Sequence, residues 1–511
     1  MHGSLWFRVN AAIFITTVGL AGAACATSQN ATTSPATAFT SSTSASAPFD
    51  APAGKLADWP MFGHDPARSS DAADETAISV ANINRLHRRW VVKFDVKADS
   101  TPIFIADVAV SGKKLNLLFQ TSRNGTTYAV DADRGAIVWS HSTSGPNITT
   151  STPAADPSRQ WIYAPGVDGF VHRLSASTGT ESLRGGFPVR ITWMPEVEKD
   201  AAALNVADGY LYAVTSGYYG DFGNYDGHVV TVQLNTGEVR VFNSLCSDIA
   251  ELLGASGGQS CAQTKSGIWA RGGAVVDPDP SMRGRVYVAT GNGAFTANSG
   301  GHDYGDSVLA LSADGAKLEG YYTPANFSDL ESGDVDLGST APVMLPRQTK
   351  SHTPLLALQG GKDGVLRLLN RERLGGVGGE VSQFNLGTGL FSAPAVARDR
   401  AGQTWIYVGT DSGTTALRVA TDSGGKSTLQ KAWSSDKGGT SPVVVNGIVF
   451  VATSGAVNAF DARSGKIVWS TALASAGGTI AEVHWQSPIV ANGSLYISDE
   501  AGSLTAYSLT R

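Results

Sequence analysis

Charge is scarce in this chain. Only 16% of its 511 residues are Asp, Glu, Lys or Arg, well below the ~25% usual for soluble domains. The 38 basic and 44 acidic residues leave a formal charge of −6. No run of Lys and Arg offers a phosphate backbone a place to condense, which excludes nucleic acid as a partner. Cysteine is nearly absent: Cys25, Cys246 and Cys261 occur without any C-x-x-C. That excludes c-type haem attachment and four-cysteine zinc sites. His64, His228, His302 and His484 lie far apart, and no pair has metal-ligand spacing. What is abundant is glycine, 59 residues, or about 12% against the usual ~7%. The apolar share of 42% excludes a chain disordered throughout. Little charge, much glycine and many Val, Thr and Ser point to β-structure with tight turns.

The first fifty residues read as an address and a tether. His2 and Arg8 precede an uncharged apolar stretch from Ala11 to Leu20. It falls short of the about 20 residues that span a bilayer and has the build of an export signal. The small residues Ala21-Gly22-Ala23-Ala24 then lead to Cys25. This resembles a bacterial lipoprotein signal, in which that cysteine is acylated, although Gly22 stands where such signals usually carry Leu. Two fates therefore stay open: lipidation of Cys25, or plain cleavage within the small-residue run. Lipid would anchor the protein to a membrane surface without spanning it. Residues 26–54 are rich in Ser, Thr and Ala and have nothing with which to build a core. Export to the periplasm or cell surface makes a disulfide between Cys246 and Cys261 the expected state, with two buried thiols as the alternative. Gly254-Ala255-Ser256-Gly257-Gly258 between them fits G-x-S-x-G, but lacks the strand before and helix after that a nucleophile elbow needs.

From about residue 90 one pattern recurs. Its clearest copy runs Ser441-Pro442-Val443-Val444-Val445-Asn446-Gly447-Ile448-Val449-Phe450-Val451, then Ala459-Phe460-Asp461-Ala462-Arg463-Ser464-Gly465-Lys466-Ile467-Val468-Trp469. Proline opens a strand, Asn-Gly turns it, and two further strands lead to a tryptophan. Other copies begin at Thr101-Pro102, Thr152-Pro153, Ala341-Pro342, Ala393-Pro394 and Ser487-Pro488. Two middle copies lack the proline but keep Gly209-Tyr210-Leu211-Tyr212 and Arg285-Val286-Tyr287-Val288. The reading is eight units of four strands with a period of roughly 45–50 residues, the signature of a β-propeller. The last unit stops at Leu509 in its third strand. Leu86-His87-Arg88-Arg89-Trp90-Val91-Val92 is expected to supply the missing fourth strand and close the ring. The fold class is all-β: an eight-bladed propeller over 55–511, after a signal at 1–25 and a tether at 26–54.

The D-x-x-T/S-G-K-x-x-W ending resembles the tryptophan-docking repeat of quinoprotein dehydrogenases, whose propeller holds pyrroloquinoline quinone (PQQ) and Ca²⁺. The same repeat occurs in an outer-membrane assembly propeller that binds no cofactor. Asp58-Trp59-Pro60-Met61-Phe62-Gly63-His64-Asp65 resembles the opening segment of that superfamily. Ile268-Trp269, followed by Thr290-Gly291-Asn292-Gly293, resembles the stretch from the quinone-stacking Trp to a calcium-ligating Asn. The resemblance thus implies Trp269 as stacking platform and Asn292 as metal ligand. Asp334-Val335-Asp336 falls where the family has its catalytic Asp; Asp334 is the preferred base and Asp336 the runner-up. Lys362 in Gly361-Lys362-Asp363-Gly364 matches the residue that bonds the quinone oxygens. Asp221 in Gly220-Asp221-Phe222-Gly223 falls where the family has a calcium-binding Glu.

The chain also departs from that family. Where the dehydrogenases commonly carry two adjacent cysteines and an Arg-Gly, it reads Asn147-Ile148-Thr149-Thr150-Ser151-Thr152-Pro153. The W-D-Y around the usual catalytic Asp is missing as well. Two functional readings follow. One is an exported PQQ- and calcium-dependent dehydrogenase for an alcohol or sugar. The other is a non-catalytic propeller that displays loops to a cell-envelope protein or polysaccharide. A membrane enters either reading only through a lipid on Cys25.

Overall fold

The structure is a computed structural model that describes residues 58–254 and 257–509. The signal, the tether, Cys25 and Ser256 lie outside the described residues. Eight sheets follow one another along the chain. Blade 1 spans Ile103–Val110 to Ala136–Ser142, and blade 2 runs from Ala154–Ala155 to Val189–Arg190. Blade 3 runs from Glu198–Asp200 to Val239–Asn243, and blade 4 from Val275–Val276 to Leu318–Thr323. Blade 5 extends from Val343–Met344 to Ser382–Asn385, and blade 6 from Ala395–Arg398 to Ser427–Ser435. Blade 7 comprises Val443–Val445 to Ile467–Ser470, and blade 8 begins at Ile489–Ala491.

Blade 8 takes its outer strand from the other end of the chain. Leu86–Lys93 pairs antiparallel with Ser503–Leu509, matching Leu86 to Leu509 and Trp90 to Ala506. The closure removes the open edges that a linear stack of sheets would leave. The hairpin chemistry follows the sequence: Asn446 and Gly447 both adopt positive φ (44° and 80°), as the tight Asn-Gly turn requires.

Neighbouring blades bury their apolar faces against one another. Leu356, Leu366 and Leu368 of blade 5 pack with Ile406 and Leu417 of blade 6, all fully buried. Each such side chain contributes about 1.5–3 kcal/mol relative to exposure. Tryptophans fasten part of the ring. Trp90, Trp139 and Trp433 donate indole N–H bonds to Ala132, Ala176 and Ala462 of the following blade. Trp469 donates to Leu86 on the closing strand. A side chain at Gly465 would come within 2.6 Å of Trp433, so the repeat's glycine is the floor on which the preceding blade's ring lies.

The segment from Trp59 onward seals one end of the axis. Pro60 O, Pro66 O, Ser69 O and Ser70 O accept backbone N–H bonds from Ala155, Val276, Val396 and Val444. Those partners belong to blades 2, 4, 6 and 7, so the segment must cross the axis. Buried Arg68 pins it with bonds to the carbonyls of Phe62, Ala203, Leu204 and Gly272. The axial channel is therefore a cup open at one mouth. Among the described residues, no helix is long and apolar enough to cross a membrane.

Candidate functional site

Loops that leave second strands, or enter first strands, gather at the open mouth because antiparallel strands alternate in direction. Trp269 precedes the first strand of blade 4, and Asn292 follows its second strand, Val286–Ala289. Asp334 and Asp336 lie between the short helix Phe327–Ser332 and the first strand of blade 5. Lys362 follows that blade's second strand, Leu356–Gln359. Folding brings these five residues together. The Lys362 ammonium donates to Asp334 Oδ1 (3.0 Å), pairs closely with Asp336 Oδ2, and stands 5.6 Å over the Trp269 ring. Asn292 donates its backbone N–H to Asp336 Oδ1 (2.8 Å) and its side-chain N–H to Asp334 Oδ1 (3.3 Å). A side chain at Gly291 would strike the Asp336 carboxylate and come 3.1 Å from Trp269 Nε1, so the loop needs glycine there.

The members differ in exposure. Asp334 has 73% of its side chain open to solvent, against 9% for Asp336. Asp334 also sits at φ 51°, left-handed backbone that Asp tolerates better than most residues. Burial works against the charge on Lys362, but Asp336 and Asp334 outweigh it and hold the ammonium above its ordinary value. Behind them, burial pushes Asp306 up to about 8. Asn292 Oδ1 is buried without a hydrogen-bond partner.

The opposite wall of the mouth is cationic, which reading the sequence did not anticipate. Arg123 reaches in from the turn between the second and third strands of blade 1. Its Nε lies 3.2 Å from Asp99 Oδ2, and its Nη2 donates to Tyr219 Oη (3.1 Å). Arg271, two residues after Trp269, donates to the Asp99 carbonyl (2.8 Å) and lies 5.5 Å over the Trp485 ring. Its Nε is buried without a partner. Lys199 stands 5.3 Å over each of the Tyr218 and Tyr219 rings. Burial brings it down to about 8. Burial also pushes Asp200 well above the carboxylate range. Burial alone would raise Asp99, but bonds with His484 and Glu500 and the charge of Arg123 hold it low. Arg123, Arg271 and Lys199 thus gather around Asp99, with Glu500 paired to Lys97 beside them. Trp485 joins the two walls, meeting Trp269 edge-on with ring centres 6.3 Å apart.

Asp221 stands apart from the cluster. It accepts the Tyr225 hydroxyl (2.7 Å) and lies 3.8 Å from Lys265, on an exposed loop. Its contacts do not include Asn292. Cys246 and Cys261 are joined by a disulfide with Cα atoms 6.0 Å apart. It closes the loop after blade 3, as an oxidising compartment outside the cytoplasm permits.

The profile of the outer membrane protein assembly factor BamB family matches residues 79–298 and 363–511. The chain belongs to this family of PQQ-like repeat propellers. The chain is also 21% identical to a polyvinylalcohol dehydrogenase from Pseudomonas sp over 251 residues, 47% of this chain and 36% of that protein. It thus spans about a third of that relative's length. Its fold matches a europium-containing methanol dehydrogenase with TM-score 0.65 and 14% identity, over 89% of this chain and 98% of that one. The structure of BamB from Moraxella catarrhalis matches with TM-score 0.51 and 14% identity, over 83% of this chain and 99% of that one. The architecture is therefore shared by dehydrogenases and an assembly factor, and the side chains at the mouth must separate the two.

Proposed function

We propose that the open mouth binds a planar, polyanionic quinone of the PQQ type, and that the protein is an extracytoplasmic dehydrogenase for an alcohol or sugar. The observation that carries this reading is the group of cationic side chains beside the aromatic rings. The half-buried Lys199 side chain makes no ion pair or hydrogen bond among the described residues, and Arg271 Nε is buried without a partner. A cationic surface between aromatic rings favours an anion, and one with several carboxylates would engage these groups together. Trp269 and Trp485 supply faces for a flat ring. Arg123, Lys199 and Arg271 would hold carboxylates at its rim, and Lys362 would donate to a quinone oxygen.

When bound, such a quinone supplies an acceptor for two electrons and a proton, taken together as hydride from the substrate carbon. The chain's own part is proton transfer and positioning. Asp334, exposed at the mouth, would take the substrate hydroxyl proton as the carbinol carbon becomes a carbonyl. Lys362 keeps that carboxylate oriented through the 3.0 Å bond. Asp336 is committed to Lys362 and the Asn292 N–H, so it serves as an anchor.

Calcium fits less well. The free Asn292 Oδ1 suits a hard cation, but Asp221 is held by Tyr225 and Lys265. The six to eight oxygens that calcium takes are not gathered by these side chains.

Melting the purified full chain with and without PQQ tests the reading, because a ligand specific for the folded state raises Tm. A rise accompanied by tryptophan quenching is expected. No shift at PQQ well above micromolar would sink the dehydrogenase reading. The scaffold reading, which partners an envelope protein or polysaccharide, would then stand. It draws on the exposed rings of Tyr219 (52%) and Phe222 (67%) at the mouth. Whether Cys25 carries a lipid is answered by mass spectrometry of the exported protein.

A further inference from the structure

We infer that a divalent transition-metal ion of the zinc type binds between blades 1 and 2, on His141, His172 and Glu181. These residues lie on separate segments: the outer strand of blade 1 (Ala136–Ser142), the third strand of blade 2 (Phe170–Ser175) and the chain just beyond it. One donor atom from each lies within 4.8 Å of the others. The juxtaposition follows from the tryptophan dock. Trp139 donates to Ala176 O, and its ring covers Gly179. Strand side chains repeat every two residues, so His141 shares the face of Trp139. Glu181, two residues past Gly179, pairs across to Leu174. The same registration that seats the indole therefore brings His141 over the pair formed by His172 and Glu181.

The donor chemistry favours a metal of intermediate softness. His172, 6% exposed, places Nδ1 2.6 Å from Glu181 Oε1 and Nε2 3.1 Å from Asp168 Oδ2. His141 lies alongside, its ring centre 6.0 Å from that of His172. Two imidazoles and one carboxylate suit Zn²⁺, whereas Ca²⁺ and Mg²⁺ take oxygen throughout. Asp168 is the outer carboxylate that metal-bound histidines characteristically use to fix the ring and strengthen the donor. A side chain at Gly166 would overlap Asp168 Oδ1 and sit 2.7 Å from His172 Nε2, so the backbone is shaped around this pair.

The surrounding charge agrees. Among the described residues, neither Asp168 nor Glu181 is ion-paired with Lys or Arg; each pairs with His172, and Asp168 also accepts the Phe170 N–H. Arg190 is the cation that Asp168 feels, and its guanidinium lies over Phe170 and Trp193. The group formed by Asp99, His484 and Glu500 has similar donor spacing. It is flanked by Lys97 and Arg123 and belongs to the cationic wall. A second cation is unwelcome there.

The test is calorimetric titration of ZnCl₂ into the full chain after EDTA treatment and dialysis, with melting curves in parallel. Binding of one equivalent and a higher Tm are expected. His141→Ala and Glu181→Gln should each abolish both, while melting like the parent in EDTA. Asp168→Asn should weaken binding by about 10–100-fold. Substituting Co²⁺ should give visible d–d bands in the parent and none in His141→Ala. Unchanged stoichiometry and affinity in His141→Ala and Glu181→Gln would place the zinc elsewhere and overturn the assignment, as would absence of binding well above micromolar Zn²⁺. Should His141→Ala fail to fold, Glu181→Gln with the cobalt spectrum decides alone.

Discussion

Two arcs of the ring are built differently. Blades 6, 7, 8 and 1 each carry a tryptophan docked on a carbonyl of the following blade. Blades 3 and 4 join their successors through tyrosines instead: Tyr212 Oη donates to Ala313 O (2.6 Å), and Tyr287 Oη to Arg371 O (3.0 Å). The tyrosine arc also holds the irregular parts. Blade 3 has two short strands, Glu198–Asp200 and Asn205–Ala207, on one partner; blade 4 gains the parallel strand Gly376–Val377; and the disulfide loop lies between them. Trp269, Asn292, Asp334 and Asp336 come from this arc, and Lys362 comes from blade 5, on which blade 4 docks. A repeat that must dock its neighbour has little freedom in its turns. Where docking is relaxed, the loops are free to carry chemistry, and the regular arc holds the ring closed.

The largest effect is expected at the closing dock. Trp469 is buried to 2%, so Trp469→Ala should cost about 3–5 kcal/mol in chemical denaturation, from lost burial and the cavity left behind. A loss below 1 kcal/mol would mean that the tryptophans do not hold the regular arc. In the tyrosine arc, Asp334→Asn should leave stability and the PQQ-induced Tm shift intact but lower dye-linked turnover about 10²–10⁴-fold. Full turnover in that variant would transfer the base to another residue.

Lys199 gives the pH dependence. Its ammonium is present below about 8 and lost above. Affinity for a polycarboxylate should therefore be flat on the acid side and fall as pH rises through that value. Lys199→Met should bind weakly at every pH and lose the inflection, which fluorescence titration at several pH values would read. An undiminished inflection in Lys199→Met would remove the cationic wall from the binding site. Tyr287→Phe, which deletes only a hydroxyl bond, should cost about 1 kcal/mol, a clear contrast with Trp469→Ala. Finally, Ca²⁺ without quinone should leave Tm unchanged, since Asp221 and Asn292 share no site. A shift abolished by Asn292→Ala would show that the oxygens do gather.

The residues read from sequence and those missed differ in kind. Trp269, Asn292, Asp334 and Lys362 stand beside local signals, such as Thr290-Gly291-Asn292-Gly293 and the turn at Asp363-Gly364. Arg123, Lys199 and Trp485 have no such signal, because each is an ordinary residue in its own loop. Only Arg271, two positions from Trp269, lay close enough to be suspected. Likewise His141 and His172, 31 apart in number, have no ligand spacing along the chain.

The ring was legible in the residues alone: prolines, Asn-Gly turns and docking tryptophans repeat at a nearly fixed interval, and a blade of four short strands buries both faces by stacking on its neighbours. The closing strand was legible too, since the last repeat lacks one and Leu86–Lys93 carries the matching tryptophan. The meeting of distant loops decided that the opening segment plugs the axis, that Arg123, Arg271 and Lys199 gather around Asp99, and that Asp221 is held by Tyr225 and Lys265. Those outcomes depend on how loops from different blades meet across a shared mouth, and no local run of residues encodes such a meeting.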